Sequence, residues 1–128
     1  MSSSVREQVR ELIQPLITGN RWSVKPHTVK QVQTLSRPTV FIEHTGIDPL
    51  EAAPVAHVSN TCVVTIVSHR TDYTQAEDDL DVPVAQLIAA LDAHEQLDWT
   101  EARKVEVADT YLGWAITLTV ITAKETTS

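Results

Sequence analysis

Apolar residues recur at helical spacing at the start of the chain. They occupy one face of a helix over residues 5–16, and Ser4 with Glu7 three residues later has the spacing of a capping box. Pro15 lacks an amide donor and a Gly-Asn pair follows soon after it, which indicates that the helix ends near Ile17. The sequence therefore predicts a short amphipathic helix at the N-terminus.

Alternating polar and apolar residues predict strands farther along the chain. The longest of them has one apolar face and one wetter face, as expected for a sheet that is covered on one side. A turn is expected over residues 44–49, because glycine, aspartate and proline cluster there. We expect the last two strands to form a hairpin. The predicted strands span residues 21–25, 39–43, 56–69, 99–109 and 111–122.

A second helical pattern lies between the third and fourth predicted strands. Thr74 and Glu77 repeat the capping-box spacing, and apolar residues then recur at helical intervals as far as Leu91. The pattern predicts a helix over roughly residues 74–95. Pro83 lies inside it, so we expect a kink or two helical pieces at that point.

The order of the elements predicts the fold class. A helix, strands, a second helix and two final strands contain no repeated strand-helix-strand unit, so we expect an α+β domain. Its mainly antiparallel sheet of four to five strands would pack against two amphipathic helices. The length of 128 residues fits one domain over residues 1–128, with frayed termini at about residues 1–3 and 124–128.

The charge is distributed unevenly along the chain. The total is −7, but residues 1–40 hold six basic and two acidic residues while residues 41–128 hold four basic and fifteen acidic residues. An acidic total argues against binding to a nucleic-acid backbone, which needs a basic surface. The opposite charges can pair within the fold or between copies stacked head to tail.

Export and membrane insertion are not indicated by the sequence. Its apolar runs are too short to cross a bilayer, and charges interrupt the start of the chain where a secretory signal would need an apolar stretch. We therefore expect an intracellular origin. The one cysteine, Cys62, lies in an apolar run and is expected to be a small core residue.

Recognisable catalytic and cofactor motifs are absent from the sequence. Three scattered glycines form no phosphate-binding loop, and no two of the five histidines have the spacing that aims two imidazoles at one metal ion. Ser59, Ser68 and Cys62 have neither a glycine elbow nor a base at a recognisable spacing. We therefore expect no enzyme activity, no metal and no cofactor.

The segment from Ser68 to Asp81, which joins a long strand to a long helix, resembles tail terminator proteins of long-tailed phages, particularly those of actinobacterial hosts. The helix continuing through residues 87–92, the turn at residues 46–49, the Trp-Thr-Glu-Ala sequence from Trp99 and the Tyr-Leu-Gly-Trp sequence from Tyr111 agree with it. The resemblance extends from about Val5 to Thr122.

This resemblance implies a structural virion protein at the junction of tail and neck, assembled in the host cytoplasm. Such proteins form a ring, typically of six copies, that caps the tail tube and offers a docking surface to the head connector. The implied partners are other copies of the chain, the tail tube protein and a head-tail connector or neck protein. DNA would pass through the ring without specific binding, since an acidic lumen offers phosphate no cationic contact.

Two groups of charged residues are candidates for subunit contacts or for the channel lining. A basic first third and an acidic remainder suit a heterologous interface, in which one surface meets a different surface of the next copy. The alternative for the acidic group is favourable interaction with the positive end of a helix dipole, and for the basic group it is a solvated helix face. The acidic candidates are Glu77, Asp78, Asp79 and Asp81, and the basic ones are Arg6, Arg10 and Arg21.

Other functions remain open on the sequence alone. A different phage neck protein, for head completion or head-tail joining, would share the size and fold class. A small cytosolic ligand-binding domain would need polar residues clustered on an apolar wall. An enzyme would need residues such as His57, Ser68 and Asp72 to converge in space.

Overall fold

A computed structural model of the chain describes residues 5–14, 23–25, 35, 38–49, 57–93 and 97–123. These residues form two helices and five strands, which confirms the predicted α+β class. The elements in chain order are α1 (Val5–Ile13), β1 (Ser23–Lys25), β2 (Thr39–Pro49), β3 (His57–Val67), α2 (Tyr73–Asp92), β4 (Asp98–Val107) and β5 (Tyr111–Ala123).

The strands form one open sheet in the order β1-β2-β3-β5-β4. β2, β3, β5 and β4 are antiparallel to their neighbours, whereas the short β1 runs parallel to β2. The central pair, β3 and β5, stays in register over its whole length, from His57 opposite Ala123 to Val67 opposite Gly113. The two edges of the sheet are therefore β1 and β4.

One face of the sheet, called here the covered face, packs against both helices. Its strand residues alternate with outward-pointing neighbours, and they meet a stripe along α2 that includes Leu80, Leu87 and Leu91. Val9 and Ile13 of α1 join the same core. The covered face consists of Val40, Ile42, Cys62, Val64, Ile66, Ile116, Leu118 and Val120.

The opposite side of the sheet, called here the second face, carries a smaller apolar cluster at one end. Phe41, Val67, Val107 and Tyr111 are buried there, and the backbone N–H of Leu35 donates to Tyr111 Oη at 3.0 Å. Beyond this cluster the sheet is lined by small β-branched residues that are neither fully buried nor fully exposed, namely Thr61, Val63, Thr117 and Thr119.

The prediction of a turn over residues 44–49 is wrong, because β2 continues to Pro49. Its second half pairs with the first half of β3, and the register shifts between His44 and Gly46. A bulge of this kind places an extra residue in one strand without ending the pairing. Glycine, aspartate and proline thus lie in a strand that is exposed beyond Gly46.

The start and the continuity of α2 also differ from the sequence prediction. The cap is Asp72 rather than Thr74, and its carboxylate accepts the backbone N–H of Gln75 at 3.1 Å. The helix runs without interruption through Pro83, so the alternative of two pieces is wrong. It ends at Asp92, because Ala93 closes it with backbone hydrogen bonds to Ala90 and Leu91.

The β4–β5 hairpin is confirmed, with a tight connection. The N–H of Thr110 donates to the carbonyl of Val107 at 3.1 Å, and both intervening residues, Ala108 and Asp109, have positive φ. Positive φ at both central positions is the pattern of a type I′ turn, whose twist matches that of paired strands. β4 therefore ends at Val107, before the predicted boundary.

Some sequence predictions lie outside the described residues. These include the Ser4 cap, the end of the first helix near Ile17, and Arg21 as a strand residue and as a basic candidate.

Candidate interaction surfaces

The acidic candidates lie in the second and third turns of α2, and none is in its first turn. Favourable interaction with a helix dipole falls off beyond the first turn, so the dipole explanation for this cluster is wrong. Glu77 forms an ion pair with Lys104 of β4, with 3.0 Å between Nζ and Oε1. Glu77 therefore serves a contact between α2 and the sheet.

Asp79 has a different partner, at the junction of β3 and α2. Its Oδ2 lies 2.7 Å from Nε of Arg70 and accepts the hydroxyl of Ser68 at 3.3 Å. Ser68 is fully buried, and its Oγ also accepts the backbone N–H of Arg70 at 3.3 Å. This network satisfies a buried hydroxyl and orders the connection, which accounts for Asp79 within the fold.

Asp78 and Asp81 remain as the exposed members of the acidic group. Within the part of the chain that the structure describes, neither of them forms an ion pair. Their charges are solvated on the surface of α2, where another molecule can reach them. They are the acidic residues best placed for a contact outside the chain.

Two of the basic candidates, Arg6 and Arg10, lie on the other helix. Arg10 forms an ion pair with Glu7 at 2.9 Å and donates to Gln14 at 2.9 Å, and Arg6 is exposed one turn earlier. α1 packs over β2, whereas α2 packs over β5 and β4. The structure therefore places the acidic candidates and the two described basic candidates on separate helices, over different parts of the sheet.

Polar side chains join α2 to β4 along the whole helix. Near its start Tyr73 donates its hydroxyl to Glu106, and near its end the indole N–H of Trp99 donates to Asp92 at 2.6 Å. The neighbouring carboxylate raises the pKa of Tyr73, because the phenol donates this hydrogen bond and the phenolate would be repelled. The sequence did not suggest these pairs, because the two members of each pair belong to different elements.

Lys104 lies at the centre of this contact. Its ammonium group is paired with Glu77 and lies 5.6 Å from the ring centroid of Trp114, at a distance that allows a cation–π interaction. The Lys104 side chain is 46% exposed, so the ion pair is partly solvated and contributes little stability by itself. The contact links α2 to β4 and β5.

β4 is the long edge of the sheet. It has ten residues, it pairs with β5 on one side, and no described strand pairs with it on the other. Its exposed residues include Glu101 and Arg103, which form an ion pair with each other. An edge of this kind offers backbone N–H and C=O groups to another strand.

The residues considered for catalysis do not converge. His57 begins β3 and Ser68 follows its end, so the two are separated by roughly 30 Å of extended strand. Asp72 caps α2 and its carboxylate accepts the N–H of Gln75. The set of His57, Ser68 and Asp72 is therefore not assembled into a site.

His44 and Cys62 are accounted for by hydrogen bonding and by burial within the fold. His44 Nε2 lies 3.1 Å from Oδ1 of Asn60, whose amide donates to the carbonyl of Val120. Cys62 is buried, as predicted, and burial raises the pKa of its thiol to about 11.

Among the described residues, no three His, Cys, Asp or Glu side chains are grouped to hold a metal ion. No helix in the described part of the chain is long and apolar enough to cross a membrane.

Comparisons with known proteins give no assignment. No protein-family model matches the chain. A search of curated proteins finds no match either.

Proposed function

We propose that this chain is a structural subunit of a phage tail, a tail terminator that caps the tail tube as a ring and offers a docking surface to the head connector. Its partners would be further copies of itself, the tail tube protein and a neck protein. The family resemblance of the segment from Ser68 to Asp81 motivates the proposal. The observation that carries it is the separation of charge between the two ends of the sheet.

A ring needs two different contact surfaces on each copy. When one surface meets a different surface of the next copy, the repeat closes if its rotation adds up to a full circle. In this chain α2 carries five acidic and no basic residues, whereas β1 at the far edge of the sheet contains Lys25 and no acidic residue. The acidic charge is thus concentrated on the α2 side of the molecule, whereas the far edge strand carries one positive charge.

Passage of DNA also agrees with this charge distribution. Residues 41–128 hold eleven more acidic than basic residues, so a channel lined by them would repel phosphate rather than bind it. The exposed carboxylates of Asp78 and Asp81 are the acidic candidates with no ion pair among the described residues, and we assign the contact or channel role to them.

Deletion of the gene tests the function directly. Electron microscopy of the lysate would score tail length and head attachment together. We expect overlong tails without heads, because growth of the tube would not be stopped and the head would have no docking surface. Tails of normal length beside filled heads would contradict the terminator role and favour a neck protein for head completion or head-tail joining. Intact particles would contradict both structural roles.

A further inference from the structure

We propose that neighbouring copies join by their sheet edges, with β4 and the overlying α2 of one copy against β1 of the next. This inference deepens the proposed function and rests on it for the closed ring, since it names the surfaces through which the subunits meet. The partner is a second copy of this chain. Three observations support it, namely an unpaired edge, opposite charges and opposite strand directions.

The unpaired edge is β4. Its ten residues are mostly exposed, and within the described residues its outer backbone groups have no strand partner. β1 is the other edge, since it pairs only with β2 in the described sheet. Edge strands readily accept a strand from another chain, because each added backbone hydrogen bond satisfies a group that otherwise faces water.

The charges of the two edges are opposite. α2 and β4 together hold eight acidic and two basic residues, a net charge of −6. β1 holds one charged residue, Lys25, and no acidic residue. Complementary potentials favour this pairing and orient the approach of the two copies.

The strand directions allow the two edges to continue one sheet. β1 runs parallel to β2, and each further step across β3 and β5 to β4 reverses direction. β4 and β1 therefore run in opposite directions. When two copies lie side by side with their covered faces on the same side, β4 of one is antiparallel to β1 of the next, and antiparallel pairing needs no crossover connection.

Pairing of β4 with β4 is disfavoured by the same structure. A two-fold axis perpendicular to the sheet would place the two copies of α2 side by side above the joined edges. Each α2 holds five acidic residues and no basic residue, so like charges would face each other across the axis. The heterologous arrangement replaces one of these acidic helices by β1 of the next copy, whose one charged residue is Lys25.

Two variants that reverse one edge each give a sharp test. Lysine at the exposed positions Asp78, Asp81, Asp98 and Glu101 changes the net charge of α2 and β4 from −6 to +2, and Lys25→Glu reverses the charge on β1. Self-association would be measured by sedimentation at low salt and up to about 1 mM protein. We expect each variant alone to associate roughly tenfold more weakly than the wild type, because two like-charged edges then meet. An equal mixture should recover most of the wild-type association, since each altered edge then finds a complementary one.

The control changes charge in the acidic-to-basic direction at a position outside both edge strands and outside α2. Glu11 lies exposed on α1, which packs over β2, so Glu11→Lys should associate like the wild type. An equal loss in this control would overturn the proposal, as would failure of the mixture to recover. Circular dichroism would first establish that every variant is folded.

Hydrogen exchange of the wild type supplies a second measurement that needs no variant. Association should slow exchange of the β4 amides as concentration rises, while the β4–β5 turn at Ala108 and Asp109 stays unchanged. A wild type that is monomeric at about 1 mM, with β4 amides indifferent to concentration, contradicts edge pairing. Edge pairing together with normal tails in the deletion phage would instead contradict only the tail function, and overlong tails with no edge pairing would contradict only this inference.

Discussion

The covered face and the second face of the sheet are formed by the same strands but differ in how deeply their side chains are buried. On β5, Ile116 and Leu118 point to the helices and are fully buried, whereas Thr117 and Thr119 between them point away and are only partly covered. Ile121, on the same side as the two threonines, is 59% exposed. Strand alternation thus places aliphatic side chains on one side and small β-branched ones on the other.

The two faces therefore contribute unequally to the stability of the fold. Burial of aliphatic surface on the covered face supplies most of the free energy of folding, because that face meets both helices. Threonine and valine on the second face favour the extended backbone without needing a core of their own. Substitutions on the two faces should therefore differ in their effect on stability, even at adjacent positions.

The largest difference is expected between Ile116→Ala and Thr117→Ala. Ile116 is completely buried among the helices and strands of the core, so its truncation should lower the free energy of unfolding by about 2–5 kcal/mol. Thr117 lies next to it on the other face, and its truncation should cost less than about 1 kcal/mol. Urea denaturation of both variants measures the two values. Equal losses would mean that the second face is packed as tightly as the covered one.

A smaller but clear effect is expected at Gly113, at the buried end of the second face. A Cβ atom there would lie 2.7 Å from the backbone carbonyl oxygen of Ile66 and 3.3 Å from Cγ2 of Val67. Backbone cannot move away as a flexible side chain can, so Gly113→Ala should shift the β3–β5 pair. The expected cost is about 1–3 kcal/mol in the free energy of unfolding.

Gly46 provides the matched control for this substitution. The nearest atom to a Cβ at Gly46 is Cβ of Thr61 at 3.7 Å, an ordinary van der Waals distance. Gly46→Ala should therefore leave the free energy of unfolding within about 0.5 kcal/mol of the wild type. A larger loss at Gly46 than at Gly113 would contradict the close approach of β5 to β3.

The sequence predicted the fold class because periodicity reports burial directly. β3 and β5 alternate cleanly and are found almost where predicted, and α2 has a regular apolar stripe. The second half of β2 was missed because its glycine, aspartate and proline resemble a turn, and only pairing with β3 across the sheet extends it. The Asp72 cap was missed because Thr74 and Glu77 have an equally good local spacing.

The contacts between helices and strands could not be predicted from the sequence. The separation of charge was visible by counting residues, but the pairing of Glu77 with Lys104 and of Asp79 with Arg70 depends on how α2 lies on the sheet. Local spacing carries no information about partners 27 residues apart, as Glu77 and Lys104 are. The structure therefore divides a run that looks uniform into Glu77 and Asp79, which serve the fold, and Asp78 and Asp81, which remain exposed.

The last comparison of the two faces uses the reactivity of one thiol, and in the wild type it changes no residue of the core. Burial raises the pKa of Cys62 from 9.0 to about 11, because the thiolate loses its hydration on the covered face. Two pKa units lower the thiolate fraction about a hundredfold at pH 8, so iodoacetamide should alkylate the native protein at least ~100-fold more slowly than the urea-unfolded chain. Because the folded pKa lies above the unfolded one, this contribution to stability is complete below pH 9 and is lost as pH rises toward 11.

A thiol on the second face supplies the comparison, since Thr117→Cys in a Cys62→Ala background should react at close to the unfolded rate. Rapid alkylation of native Cys62 at pH 8 would mean that the helices do not seal the covered face.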